Sequence, residues 1–383
     1  MKIKLKNQII FLVVIMLFSA CASSPSDLSE DEVKDATSVE KTAATPSAVP
    51  LPVFEIIPSP ALTKFEMIDE KNGWGQAEGM VLRTEDGGET WLDITPIDIY
   101  NNPAYSKSFF IDEKIAWFLL EDIDKPTGGV IFRTTDGGAN WLWRNTPFGR
   151  SYIGFMDTEK GYALTGLGAG AGSMGVAIWT TINGGGDFNR VFLHQPGFDD
   201  SLPLRGIKNG ISFRDPQNGW VSGSQPQNGF AYLYRTRDGG FSWEHQELTM
   251  PQFYEEAQTS VGAPLFFDDG LGVLPVQLFS EESATVFYRT TDSGETWTPT
   301  FPVPMRGKYS VLSANEIVLW DGISRVYASQ DGGKTWNYNA AQWQPDDTLR
   351  KIDFISVMIG LALTDEGLYR TEDGGLTWEK LGD

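Results

Sequence analysis

The sequence predicts an all-β fold in which seven four-stranded antiparallel units follow one another along a single chain. Three observations predict it. A nine-residue phrase recurs seven times, short runs of alternating apolar and polar residues lie between its copies, and no helical period is evident beyond about residue 59. The composition agrees: 383 residues that are 41% hydrophobic and 13% aromatic can build a sizeable core, and 41 Gly with 13 Trp call for many tight turns and many buried rings.

The phrase first reads Arg83-Thr84-Glu85-Asp86-Gly87-Gly88-Glu89-Thr90-Trp91 and returns as Arg133 to Trp141. A decayed third copy runs from Thr181 through Asn183 to Phe188, and four more end at Trp243, Trp297, Trp336 and Trp378. Its chemistry is that of a corner. The side chain of Asp86, Asp136, Asn183, Asp238, Asp292, Asp331 or Asp373 accepts hydrogen bonds from the backbone amides that follow, while the Gly pair takes positive φ at little steric cost. The closing ring, Trp91, Trp141, Phe188, Trp243, Trp297, Trp336 or Trp378, begins the next strand and is placed to wedge between neighbouring sheets.

A looser phrase lies upstream, as in Met67-Ile68-Asp69 before Gly73-Trp74 and Phe213-Arg214-Asp215 before Gly219-Trp220. Each unit therefore reads inner strand, short turn, second strand, variable connection, third strand, corner, outer strand. A period of about 46 residues is that of a propeller blade, so the expected architecture is a single seven-bladed β-propeller with these corners between strands three and four of each blade.

Ser/Thr-x-Asp-x-Gly-x-x-Trp at this spacing resembles the Asp-box, or bacterial neuraminidase, repeat. Paired with the upstream phrase, it is similar to sortilin-type propellers and to the photosystem II stability/assembly factor family, over about residues 62–383. The resemblance implies a binding scaffold that engages a membrane-associated protein client. The box itself is structural and occurs in unrelated proteins, so it fixes fold and leaves function open.

Residues 1–21 carry Lys2, Lys4 and Lys6, an apolar run from Ile9 to Phe18, and Ser19-Ala20-Cys21, the order of an export signal. Small residues before a lone Cys resemble the bacterial lipoprotein box, which implies acyl chains on Cys21 that hold the chain in the bilayer, facing the outside or the periplasm. Residues 22–58 are rich in Ser, Thr, Pro and acids and read as a solvated tether, leaving 59–383 as the folded head. One Cys excludes a disulfide framework and a Cys-based metal site, and two His leave little for a histidine-ligated metal, so no cofactor or metal is expected. A formal charge of −21 repels nucleic acid.

Connections on the face opposite the corners are longer, and binding is expected there. Candidate residues on that side are Tyr105, Phe198, Arg205, Tyr254 and Trp343. Aligning the inner strands on Met67, Phe110, Phe155, Phe213, Phe266, Val311 and Phe354 places Lys64, Lys107, Lys308 and Lys351 at one shared register, with Arg150, Arg205, Arg306 and Arg350 near them. In so acidic a chain such residues would draw anions to the channel mouth.

Enzyme readings fare less well on sequence. A sialidase needs arginines converging on one carboxylate, whereas Arg83, Arg133, Arg235, Arg289 and Arg370 belong to the corner phrases. Xyloglucanase-type hydrolases set two aspartates across a cleft between two propellers, and this chain has length for one. The expectation is a non-enzymatic scaffold, with a carbohydrate-binding or glycoside-hydrolysing propeller as the alternative.

Overall fold

The computed structural model describes residues 54–96, 107–121, 128–194, 201–267, 270–344 and 349–382. Short β1 (Glu55–Ile57) precedes seven repeats of four strands. The first repeat is β2 (Leu62–Met67), β3 (Gly73–Ala77), β4 (Met80–Thr84) and β5 (Trp91–Asp93); the second is β6 (Lys107–Phe110), β7 (Ala116–Glu121), β8 (Gly129–Thr134) and β9 (Leu142–Thr146). The third is β10 (Ser151–Phe155), β11 (Gly161–Gly170), β12 (Ser173–Thr181) and β13 (Asn189–Leu193). The fourth is β14 (Ile207–Phe213), β15 (Gly219–Gln225), β16 (Leu233–Thr236) and β17 (Glu244–His245), followed by an extra strand β18 (Gln258–Val261). The fifth is β19 (Leu265–Phe266), β20 (Gly272–Phe279), β21 (Ala284–Thr290) and β22 (Thr298–Pro299). The sixth is β23 (Lys308–Val311), β24 (Ile317–Trp320), β25 (Arg325–Ser329) and β26 (Asn337–Ala340); the seventh is β27 (Lys351–Phe354), β28 (Gly360–Thr364), β29 (Gly367–Thr371) and β30 (Glu379–Lys380).

Within each repeat the strands pair antiparallel in chain order, and β18 joins the fourth and fifth repeats into one sheet by pairing with both β15 and β20. The connection 247–264, one of the longer ones opposite the corners, thus contains a strand. Residues 165–175, another of those connections, prolong the β11–β12 hairpin, with a register shift between Gly166 and Ala169 and a turn in which Ala171 and Gly172 take φ of 50° and 73°. β1 lies inside the stretch read as tether and adds a fifth strand to the first repeat, Ile56 opposite Leu92.

The corners form as their residue types dictate. Thr84 Oγ1 donates to Asp86 Oδ1 at 2.8 Å and accepts from Gly88 N at 2.9 Å, while Asp86 accepts from the amide and hydroxyl of Thr90. Gly87 and Gly88 sit at φ of 81° and 96°, the region where a Cβ costs most. The fifth copy places Ser293 at φ 66° in the same bend. In the third copy the polar pair is exchanged: Asn183 Nδ2 donates to Asp187 Oδ2 at 3.1 Å, so amide and carboxylate have traded places and the bend survives.

Each corner is tied to the inner turn of its own repeat. Gly87 N donates to Lys71 O, Gly137 N to Lys114 O, Gly184 N to Glu159 O, and Gly239, Ser293, Gly332 and Gly374 repeat the bond. Corners and inner turns therefore share one end of the strands, and the N-termini of the inner strands lie at the other.

The closing aromatics pack against the preceding repeat. Trp141 meets Trp74 and Ile94 of the first, Phe188 meets Ile131 of the second, and Trp243 meets Tyr162 and Ile178 of the third. Trp297 meets Trp220 and Leu233, Trp336 meets Phe287, and Trp378 stacks on Trp320 at 4.8 Å. Trp91, only 1% exposed, meets Leu361, Leu363, Leu368 and Leu381 of the seventh repeat. The last repeat thus packs on the first.

Candidate functional site

The corner arginines are inter-repeat clasps. A Cβ on Gly137 would collide with Arg83 Nη1, one on Gly184 with Arg133, one on Gly332 with Arg289 and one on Gly87 with Arg370, each arginine coming from the preceding repeat. Arg289 Nη1 donates to Asp331 O at 2.7 Å, and Arg235, 2% exposed, donates to Glu295 Oε1 at 2.5 Å. Glu295 is held down to about 2, chiefly by that hydrogen bond. At the sixth-to-seventh junction, where Ala328 stands at the arginine position, Asn339 Nδ2 donates to Gly374 O instead. Spread around the rim in this way, the arginines have no common carboxylate to grip.

The opposite end is built differently. On each inner strand the residue three before the aligning position and the residue one before it share a face, because side chains alternate along a strand. The first set reads Lys64, Lys107, Tyr152, Gly210, Ala263, Lys308 and Lys351 around the seven repeats. Four lysines thus fall on four successive strands, β23, β27, β2 and β6, across the seam between last and first repeats. Lys64, Lys107 and Lys351 line one cavity of about 200 Å³; Lys308 and Lys351 line an adjoining one of about 520 Å³. Burial first, then the charges of Lys107 and Lys351, bring Lys64 down to about 8.

Beneath this arc, two residues further along the same face, are Glu66 and Asp353. Lys351 Nζ stands 3.9 Å from Glu66 Oε2 and 3.5 Å from Asp353 Oδ2, and donates to Phe65 O at 2.6 Å. Burial pushes both carboxyls above the usual carboxylate range, against the opposing pull of Lys351. Asp353 Oδ2 also accepts the Met67 amide at 2.8 Å, whereas Glu66 borders the 200 Å³ cavity with a half-exposed side chain. Two carboxyls of unequal environment therefore flank one ammonium, the pattern that separates a proton donor from an ionised partner. These acids were not read from the sequence.

The other candidates scatter. Trp343 stacks on Tyr369 at 4.1 Å and touches Trp320 and Trp378 in the packing between the last two repeats. Tyr254 lines a cavity of about 830 Å³ beside the outer strand of the fifth repeat, with Phe253 and Phe301, and none of Lys64, Lys107, Lys308 and Lys351 borders it. Arg205 is exposed, and its carbonyl is one of five that surround the buried ammonium of Lys208. Arg150 pairs with Glu121, Arg350 with Asp365, and Arg306 lies over the Phe279 ring. Tyr105, Phe198 and Cys21 lie outside the described residues.

No family model matches the chain. Among solved structures, it is similar to YCF48 bound to D1 peptide (TM-score 0.50, 19% identity, 83% of this chain and 94% of that one). It is also similar to YCF48 from Cyanidioschyzon merolae (TM-score 0.50, 19% identity, 82% and 97%). The GH74 xyloglucanase from Xanthomonas campestris aligns at TM-score 0.58 and 13% identity, over 86% of this chain and 56% of that one. The fold is a β-propeller.

A xyloglucanase of Paenibacillus sp. is 26% identical over 161 residues of this propeller chain, 42% of its length but only 14% of the relative's own. The expectation that the chain is not an enzyme is corrected by this finding: the curated relative is an enzyme, and a glycoside-active protein shares the propeller fold. Two aspartates set across a cleft between two propellers are only one arrangement of catalytic groups.

Proposed function

We propose that this chain is a seven-bladed Asp-box propeller directed at glycans, in which Glu66 and Asp353 form a hydrolytic carboxyl pair at the seam of the first and seventh blades. The observation that carries the reading is the pair itself: two carboxyls that flank Lys351 Nζ at 3.9 and 3.5 Å at the lysine-bearing end of the inner strands, one of them, Asp353, raised by burial. Glycoside hydrolysis asks for two carboxyl groups about 5 to 9.5 Å apart, one protonated and one ionised. Asp353, with an amide and an ammonium to stabilise its charge, takes the ionised role and accepts the proton of the water whose oxygen bonds to the anomeric carbon as the glycosidic bond breaks. Glu66, bordering the cavity, keeps the proton and delivers it to the leaving oxygen. The xyloglucanase relative supports the substrate class.

The export signal, acylation of Cys21 and an outward-facing or periplasmic membrane location belong to the same proposal. They suit a protein whose polymeric ligand lies outside the cytoplasm.

A second reading, recognition of a protein client, is supported by the near full-length correspondence with YCF48, one of whose structures holds a D1 peptide. A panel of polysaccharides assayed for reducing ends, alongside crosslinking in native membranes, separates the two. Turnover that falls at least about 100-fold in Glu66→Gln and in Asp353→Asn, with the thermal midpoint retained, is the expected result. Turnover indifferent to both substitutions, or none on any glycan together with a single crosslinked protein, overturns the first reading in favour of the second.

A further inference from the structure

The chain carries a formal charge of −21, yet the mouth of its channel gathers Lys308, Lys351, Lys64 and Lys107 on consecutive inner strands. Like charges brought together across adjoining strands repel, and Lys64 feels both Lys107 and Lys351. The repeat itself does not call for a lysine here, because the equivalent positions of the fourth and fifth repeats hold Gly210 and Ala263. The arc is also one-sided. Beyond its last lysine comes Tyr152, 40% exposed, with Lys107 Nζ 4.8 Å from its ring centroid. A cation arc ending in a part-exposed aromatic ring fits a ligand with a fixed anion on one side and a flat apolar face beside it.

We infer that the Lys64, Lys107 and Lys308 side chains form a subsite for an anionic substituent of a glycan, a uronate carboxylate or a sulfate ester, whose sugar ring stacks on Tyr152. The inference rests on the glycan reading above and adds the substrate class, acidic polysaccharide. Ammonium groups suit both oxyanions, which they meet as point charges without the planar selectivity of guanidinium. The one-sided arc would fix which way along the chain a sugar enters, presenting the neighbouring glycosidic bond to Glu66 and Asp353.

The test is calorimetric titration of the full chain with a uronate oligosaccharide, a sulfated oligosaccharide, the carboxyl-reduced neutral counterpart of the first, and a Glu-rich peptide. Wild type is compared with Lys64→Gln/Lys107→Gln, and with Lys160→Gln, a control at the corner end. The expected result is at least about tenfold tighter binding of an acidic than of the neutral oligosaccharide, lost in the double variant, retained in the control and weakened by salt. Whether uronate or sulfate binds more tightly tells the two anions apart. Equal binding of acidic and neutral oligosaccharides, or full acidic affinity in the double variant, overturns the subsite and leaves the glycan reading standing. Binding of the peptide alone overturns both. Tyr152→Ala is the second variant: it weakens acidic and neutral sugars alike if the ring is a stacking platform, and an unchanged affinity removes the ring from the proposal.

Discussion

The two ends of the strands obey opposite rules. At the corner end opposite groups meet: Asp86 accepts from Thr84 and Thr90, Arg235 donates to Glu295, and Arg289 donates to Asp331 O. At the other end Lys64, Lys107 and Lys351 face one another, and Glu66 and Asp353 share one lysine. The first arrangement ties neighbouring repeats together, whereas the second sets like charges side by side. Like charges gathered in a concave, partly buried position are a functional signature.

If the rim holds the ring together, its largest contributor is the wedge at the closure. Trp91→Ala removes a ring that is 1% exposed and packs on four leucines of the last repeat. Its expected cost is about 3–5 kcal/mol, read from guanidinium unfolding with fluorescence and circular dichroism. A midpoint within error of wild type would show that the seam is closed by something else.

Next in size is the clasp. Arg235→Ala leaves Glu295 with Arg237 alone and is expected to cost about 1–3 kcal/mol. A double-mutant cycle with Glu295→Gln isolates the pair from the arginine's packing over Trp220. Glu295 ionises more readily folded than unfolded, so its contribution is present above its ordinary value of 4.5 and is lost as the pH falls toward about 2. Thermal midpoints of Glu295→Gln and wild type should therefore converge through that window; a constant gap would contradict the clasp.

The seven corners were legible because a bend that demands positive φ and a carboxylate acceptor leaves few residue choices, and repetition multiplies the signal. Two things were hidden. Arg83 and its equivalents were read as corner residues, but their reach into the next blade depends on how neighbouring sheets are offset, which no local pattern encodes. Glu66 and Asp353 were invisible for a different reason. In a chain with 51 acidic residues two more carry no contrast, and only the packing of the last strand set on the first brings them together. The lysines stood out against that same acidic background. Trp343 misled because an aromatic in a long connection looks exposed until its stacking on Tyr369 is known.

A smaller effect sharpens the account of the corner. Asp331→Ala removes the acceptor for Thr335 N and its hydroxyl at 2.9 and 2.6 Å and is expected to cost about 1–2 kcal/mol. Asp331→Asn should cost less, since the third corner keeps its bend with Asn183. The Thr335 hydroxyl, ahead of its amide, holds Asp331 down to about 2, so this corner contributes stability above 3.8 and loses it as pH falls toward 2. Equal destabilisation by Ala and Asn would mean that the charge, rather than the hydrogen-bond geometry, makes the turn.

The smallest effect on stability is the most telling about function. Lys64→Gln at the mouth removes one of three mutually repelling ammonium groups, so the thermal midpoint is expected to stay level or rise by a degree or two. A substitution at the corner end moves it down. Adding an acidic oligosaccharide should raise the wild-type midpoint and leave the variant's nearly fixed, because only a ligand bound to the folded state shifts the equilibrium. A Lys64→Gln chain that melts several degrees lower without ligand would show the arc to be structural, and the contrast between the two ends of the propeller would disappear with it.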